Sequence, residues 1–253
     1  MIPIRDTELS RTKPVIVKTL IVINAIVFLY EFTRGHRQLE LFMGHAGLIP
    51  AKYFYLASFG PEAYVERFTP LFTHMFLHGG WLHVIFNMLF LWIFGDNIED
   101  RLGRPRFIVF YLLCGLAAAY LQIYISPGSK VPMVGASGAI AGIMGGYMVL
   151  FPRARVTAIV PIFLFWQVVQ LPAVVFLGFW FVIQFFSGTI TALEGARGMG
   201  GVAFWAHIGG FVAGVLLVKV FAKRETVSDA YPWASGGPTD GTASDSTVGD
   251  EHR

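Results

Sequence analysis

Four polar residues stand out because each lies in a stretch that carries little else able to do chemistry. Ser137 sits in 134-VGASGAIAGIMGGY-147, a segment built almost wholly from small residues. His207 sits in 204-FWAHIGGFVAG-214, and His83 and Asn87 sit in 73-THMFLHGGWLHVIFNMLFLWIFG-95. An ionisable side chain inside an apolar segment is costly and is by default a sign of function. A histidine beside a serine hydroxyl can take its proton as the oxygen attacks a carbonyl, then hand that proton to the leaving amine. His83 and Asn87 are four residues apart and share one helix face. An imidazole and a carboxamide there can donate to an oxyanion. A serine at a helix start also has free N–H groups and the positive end of the helix dipole beside it. Gly135 and Gly138 would let a substrate carbonyl come close to the backbone.

Each of these residues also has a plainer reading. Gly138, Gly142 and Gly146 recur every four positions, the spacing that lets helices in a membrane pack closely, so Ser137 could be a packing or capping residue. His207 could hydrogen-bond a neighbouring helix for structure alone, since Gly209, Gly210 and Gly214 form a second close-packing face. His74, His78 and His83 together could hold a metal. No HExxH pattern and no nearby carboxylate supports that, so neither metal nor cofactor is expected. His74 and His78 precede the apolar block and are expected to cap or brace the loop before it.

The elements that must position these residues are membrane spans. Only 14% of the 253 residues are charged and 55% are hydrophobic, whereas a soluble domain averages about 25% charged. The apolar residues fall in blocks of about 17 to 25, the length that crosses about 30 Å of hydrocarbon. Six spans are expected, near 15–33, 80–97, 106–126, 137–151, 157–187 and 203–222. The fifth contains Pro161 and Pro172 and is expected to begin as an interfacial segment. Residues 1–14 show no signal-peptide pattern, and the run that follows reads as a retained first span. Loop 34–79 is rich in aromatic residues and is expected to fold on the membrane surface. The sole cysteine, Cys114, excludes an intrachain disulfide.

Lys and Arg cluster in the N-terminal segment, after spans two and four, and at the end of span six. That bias puts both termini in the cytoplasm. Spans two, four and six then run from outside to inside, which places His83, Ser137 and His207 at similar depth near the outer face. The net charge of +3 comes from residues at helix ends and points to no nucleic-acid partner. Residues 223–253 turn polar and Gly/Ser/Thr/Asp-rich and are expected to be a disordered cytoplasmic tail.

With these pieces in place the chain resembles the rhomboid intramembrane serine proteases over about residues 15–222. The matching residues are His83 and Asn87 in an H-x-x-x-N pattern, Gly135-Ala136-Ser137-Gly138 as G-x-S-G, and Ala206-His207 with Gly210 and Gly214 in span six. The resemblance implies an all-α membrane protein, a six-transmembrane-helix bundle with a long, partly structured first loop. It divides the chain into a cytoplasmic segment 1–14, a protease domain 15–222 and the tail. It implies a Ser137–His207 dyad without an acidic third member. His83, Asn87 and the Ser137 N–H would form the oxyanion hole. Substrates would be transmembrane proteins in the lipid bilayer of a cell membrane. Glu99, in 98-IEDRLG-103, is expected to be structural.

The chain departs from the family pattern at three places. Ala141 replaces the aromatic that often stacks on the histidine, so something else must orient the imidazole. Thr69-Pro70 stands where a Trp-Arg pair is common. Segment 188–202 is Gly-rich and could cap the site. Two rivals stay in view. A non-catalytic rhomboid-like protein could bind transmembrane clients, although such a protein would be expected to lose the serine or the histidine. A small-molecule transporter would need repeated halves, and none is seen.

Overall fold

A computed structural model describes residues 1–162, 165–193 and 203–223. Its scaffold is a bundle of apolar helices: α1 (Val15–Phe32), α6 (Trp81–Leu102), α7 (Arg104–Ile125), α8 (Ser137–Leu150), α9 (Ala173–Leu193) and α10 (Phe204–Phe221). Among the described residues, α1, α6, α7, α9 and α10 are long and apolar enough to cross a membrane. The sixth, α8, has only 14 residues and is the most enclosed. It spans about 21 Å, well short of the roughly 30 Å of hydrocarbon, so at least one of its ends must lie inside that thickness.

Glycine explains how α8 fits there. A Cβ on Gly210 would strike the Gly138 carbonyl, and one on Gly214 would strike the Gly142 carbonyl. The backbones of α8 and α10 therefore touch directly, and α7 closes on both: Ala118 lies against Gly138 and Cys114 against Gly142. Lipid tails are as apolar as the side chains, so close packing and not burial from water holds such helices together.

The long first loop is folded. It carries α2 (His36–Ala46), α3 (Pro50–Tyr55), α4 (Tyr64–Phe68) and α5 (Pro70–Thr73). Arg67 stacks on the Tyr53 ring at 4.4 Å, and Lys52 pairs with Glu66 at 2.8 Å. The loop also grips the strand-like approach to α8: Leu48 and Met133 exchange backbone hydrogen bonds at 3.0 and 2.8 Å, and the Gly135 N–H donates to the His74 carbonyl at 2.8 Å. His74 braces this turn, its Nδ1 facing the Pro70 carbonyl at 2.8 Å. The His78 N–H donates to the Glu31 carboxylate of α1 at 3.2 and 3.3 Å. Burial pushes both imidazoles down to about 4, so both are neutral at ordinary pH.

The expected fifth span over 157–187 is corrected. Arg155–Ile162 and Phe165–Pro172 are strands β2 and β3, which pair antiparallel, and β2 also pairs with β1 (Ile2–Asp6) of the N-terminal segment. Residues 156–193 hold no charged side chain, so hydropathy alone cannot separate hairpin from helix. Pairing with β1 and between the two strands decides it. Pro161 lies beyond the reach of β1, which pairs only as far as Ile159, so its missing N–H leaves no gap in that ladder. Pro172 ends β3, and α9 begins at the next residue.

At this end of the bundle the last turns of α6 hold the N-terminal segment. The Glu99 carboxylate accepts the Ile16 and Val17 N–H groups at 3.0 and 2.9 Å, capping α1, which makes Glu99 structural. Asp6 accepts hydrogen bonds from Tyr147 Oη and from Asn97 Nδ2. Residues 1–222 form one compact unit. Residues 223–253 form another, of which only Lys223 is among the described residues, so the expected tail lies outside them. The expected cap divides: 188–193 continue α9, and 194–202 lie outside the described residues.

Candidate active site

Ser137 is the first residue of α8. The chain reaches it through Gly135, whose φ of +125° is a region that residues with a Cβ rarely adopt. A Cβ at Gly135 would also lie 2.7 Å from His83 Nε2 and 3.5 Å from Ser137 Oγ. Only glycine leaves the space between them open. The N–H groups of the first turn of α8, that of Ser137 among them, have no acceptor within the helix.

His207 lies in the first turn of α10, and its Nε2 is 2.8 Å from Ser137 Oγ. The glycine contact between α8 and α10 brings the two together: with any larger residue at 210 or 214 the helices would part. The other ring nitrogen, Nδ1, faces Gln184 Oε1 at 2.7 Å. A carboxamide oxygen only accepts, so Nδ1 carries the proton and Nε2 is left to accept from the serine hydroxyl. Trp180, one turn before Gln184 on α9, lies over the imidazole with ring centroids 5.8 Å apart and planes at 39°. The imidazole that Ala141 leaves unsupported is thus held by α9.

His83 and Asn87 lie on one face of α6 and line the same cavity as Ser137 and His207. The Gly79 N–H points at His83 Nδ1 at 3.4 Å, which leaves Nε2 to carry a proton into the cavity. Asn87 Nδ2 is buried and makes no hydrogen bond among the described residues, so there it is a donor without an acceptor. The cavity, about 1010 Å³, is otherwise largely apolar, with Phe86, Phe90 and Met144 among its walls. A nucleophile paired with a base, facing two free donors in an apolar cavity, can carry out acyl transfer.

All four residues singled out in the sequence therefore meet in one place. His74 and His78 do not join them as metal ligands: His74 faces a carbonyl, and the His78 ring packs edge-on against His83 at 5.2 Å. Among the described residues no group of three metal-binding side chains occurs. Trp180 and Gln184 are the residues the sequence did not point out. The one available signal was that Gln184 is the only carboxamide in α9, four residues after a tryptophan.

A family model described as the Rhomboid domain matches residues 65–224, which takes in all four residues and α9. The chain belongs to the rhomboid family. It is a multi-pass membrane protein, and rhomboids are mostly serine proteases that act on transmembrane substrates. Rhomboid protein 1, mitochondrial, of Saccharomyces cerevisiae is 28% identical over 158 residues, 60% of this chain and 42% of that protein. Rhomboid protease GluP of Bacillus subtilis is 38% identical over 78 residues, 31% of this chain and 15% of that protein. Rhomboid protease GlpG of Salmonella newport is 36% identical over 75 residues, 29% of this chain and 26% of that protein. This rhomboid spans less than half the length of each of these relatives.

Proposed function

We propose that this rhomboid is an intramembrane serine endopeptidase that cuts peptide bonds within or beside the transmembrane helices of other proteins, using Ser137 and His207. The observation that carries the reading is the 2.8 Å contact from His207 Nε2 to Ser137 Oγ, in a cavity that also holds two unpaired donors. Nε2 takes the hydroxyl proton while Oγ bonds to the scissile carbonyl carbon, whose oxygen becomes an oxyanion. His83 Nε2–H, Asn87 Nδ2–H and the Ser137 N–H receive that charge. The C–N bond then breaks, and the imidazolium gives its proton to the departing amine. Water, deprotonated by Nε2, attacks the resulting ester and releases the new carboxyl end together with free Ser137. A helix hides its carbonyls in hydrogen bonds, so a substrate must unwind locally to present one. Small or helix-breaking residues near the cut assist this. The excess of Lys and Arg at the N-terminus, after α6, after α8 and after α10 supports cytoplasmic termini in a cell membrane.

The test is cleavage of a single-span test substrate by purified protein in detergent, beside Ser137→Ala. Wild type is expected to cleave and to be labelled by a fluorophosphonate at Ser137. Ser137→Ala is expected to insert and fold but do neither. Retained cleavage in Ser137→Ala would falsify the nucleophile assignment. A wild type that neither cleaves nor labels would turn the reading towards a non-catalytic binder of transmembrane clients.

A further inference from the structure

We infer that Gln184 is the positioning residue of this site, a neutral third member that holds His207 in the tautomer the reaction needs. The inference rests on the protease reading above and adds a role to a residue outside the Ser137–His207 pair.

Three observations carry it. His207 Nδ1 lies 2.7 Å from Gln184 Oε1, and on the far side of the same ring Nε2 lies 2.8 Å from Ser137 Oγ. The ring is therefore bonded at both ends, with one group that only accepts and one that can donate. Trp180 lies over the ring from the same helix face, four residues earlier, so α9 fixes both the tilt of the imidazole and its proton. Ala141, fully buried on α8, has no side chain long enough to do either. Without Gln184 the proton would be free to sit on Nε2, where it would block acceptance from the serine.

The choice of a carboxamide over a carboxylate fits the surroundings. Among the described side chains lining the cavity only His74, His83 and His207 titrate, and none of the three is an acid. His83 comes from α6 and His74 from the turn before it. α8 and α9 present Ser137, Trp180 and Gln184, and Cys114 of α7 lies behind Gly142. An ionised acid in such a place would be costly unless paired. An amide oxygen orients the ring without adding charge. It also leaves the basicity of the ring unassisted, which gives the inference its test.

Gln184→Leu removes the acceptor at similar volume. It is expected to lower kcat by about 10- to 100-fold with KM for a transmembrane substrate unchanged, less than the roughly 10⁴-fold loss that follows a wrong tautomer in a charged triad. Gln184→Glu restores an acceptor and adds charge beside Nδ1. It is expected to recover most of the lost kcat and to move the acidic limb of kcat/KM to higher pH, because an anion there favours the imidazolium. A residue that served packing alone would change the melting temperature of both variants and leave the limb in place. A Leu variant within twofold of wild-type kcat would overturn the inference. So would Leu and Glu variants equally impaired with an unmoved limb. If Gln184→Leu fails to fold, as read by gel filtration and melting in detergent, the pH limb of Gln184→Glu decides alone. Fluorophosphonate labelling of Ser137 separates the two levels. If wild type does not label, the protease reading fails and this inference falls with it. If wild type labels and Gln184→Leu labels at the same rate, only the role of Gln184 fails.

Discussion

Asn87 shows what a single residue can reveal about the site. Its side-chain nitrogen is buried on α6 and finds no acceptor among the described residues, an arrangement that folding alone does not favour. In the proposed mechanism the acceptor for this donor is the oxyanion that forms on the substrate. Asn87→Ala is expected to lower kcat by about 10²–10³, the loss seen when one oxyanion donor is removed from a soluble serine protease. The melting temperature should stay or rise, because the change deletes an unsatisfied group. Turnover and melting measured on the same preparation check both halves, and wild-type turnover would remove Asn87 from the site. Gln184 makes the opposite point. As a sequence letter it is one polar residue in a greasy helix, and only its distance to His207 gives it meaning.

At the scale of elements, the glycine contact between α8 and α10 sets the reach from Ser137 to His207. Gly214→Ala would drive a methyl group into the Gly142 carbonyl, and backbone cannot step aside as a side chain can. Overpacking of this kind costs about 1–3 kcal/mol, and the parting helices should also cut turnover. Gly178→Ala is the control, since nothing lies within 4 Å of its added carbon and both quantities should hold. Melting in detergent together with the rate on a test substrate reads the pair. This contact was legible beforehand, because the four-residue spacing of glycines around Ser137 and His207 has few other uses in a membrane. That α6, α8 and α10 bring their polar residues to one cavity was legible too, from the charge bias that runs the three spans the same way and from where those residues fall within them. The β2–β3 hairpin was not. Over 156–193 hydropathy is uniformly high and no charge marks a boundary, so strand and helix differ only in pairing with a segment about 150 residues away. The hold of α9 on His207 escaped for the same reason: it depends on which face of that helix turns inward.

For the whole molecule, the N-terminal segment acts as a clasp. β1 pairs with the middle of the chain, Ser10 bonds to Asp96 at 3.1 Å, and Glu99 caps α1. Burial, with a smaller contribution from Asp96, pushes the Asp6 carboxyl from its ordinary 3.8 up to about 6, against the lowering effect of the Tyr147 hydrogen bond. A carboxyl with a raised folded pKa stabilises the clasp fully below pH 3.8 and loses that contribution as pH climbs through 6. Amide exchange of β1, corrected for intrinsic rate, is therefore expected to be faster at pH 7.5 than at pH 5, and Asp6→Asn should remove most of the difference. Equal protection at both pH values in wild type would sink this account. The pairing of β1 with β2 also puts the N-terminal segment and the α8–α9 connection on one side of the membrane, whichever side that is. The same ladder imposes an order on biosynthesis. Residues 2–6 leave the ribosome long before Val156–Ile159 exist, and at about 5–20 residues per second that strand waits on the order of ten seconds for its partner. Throughout that interval the segment must stay on the side where it emerged, uncommitted to any other edge. This stitch joins the earliest part of the chain to a middle part, after four membrane helices have been threaded and before α9 and α10 exist.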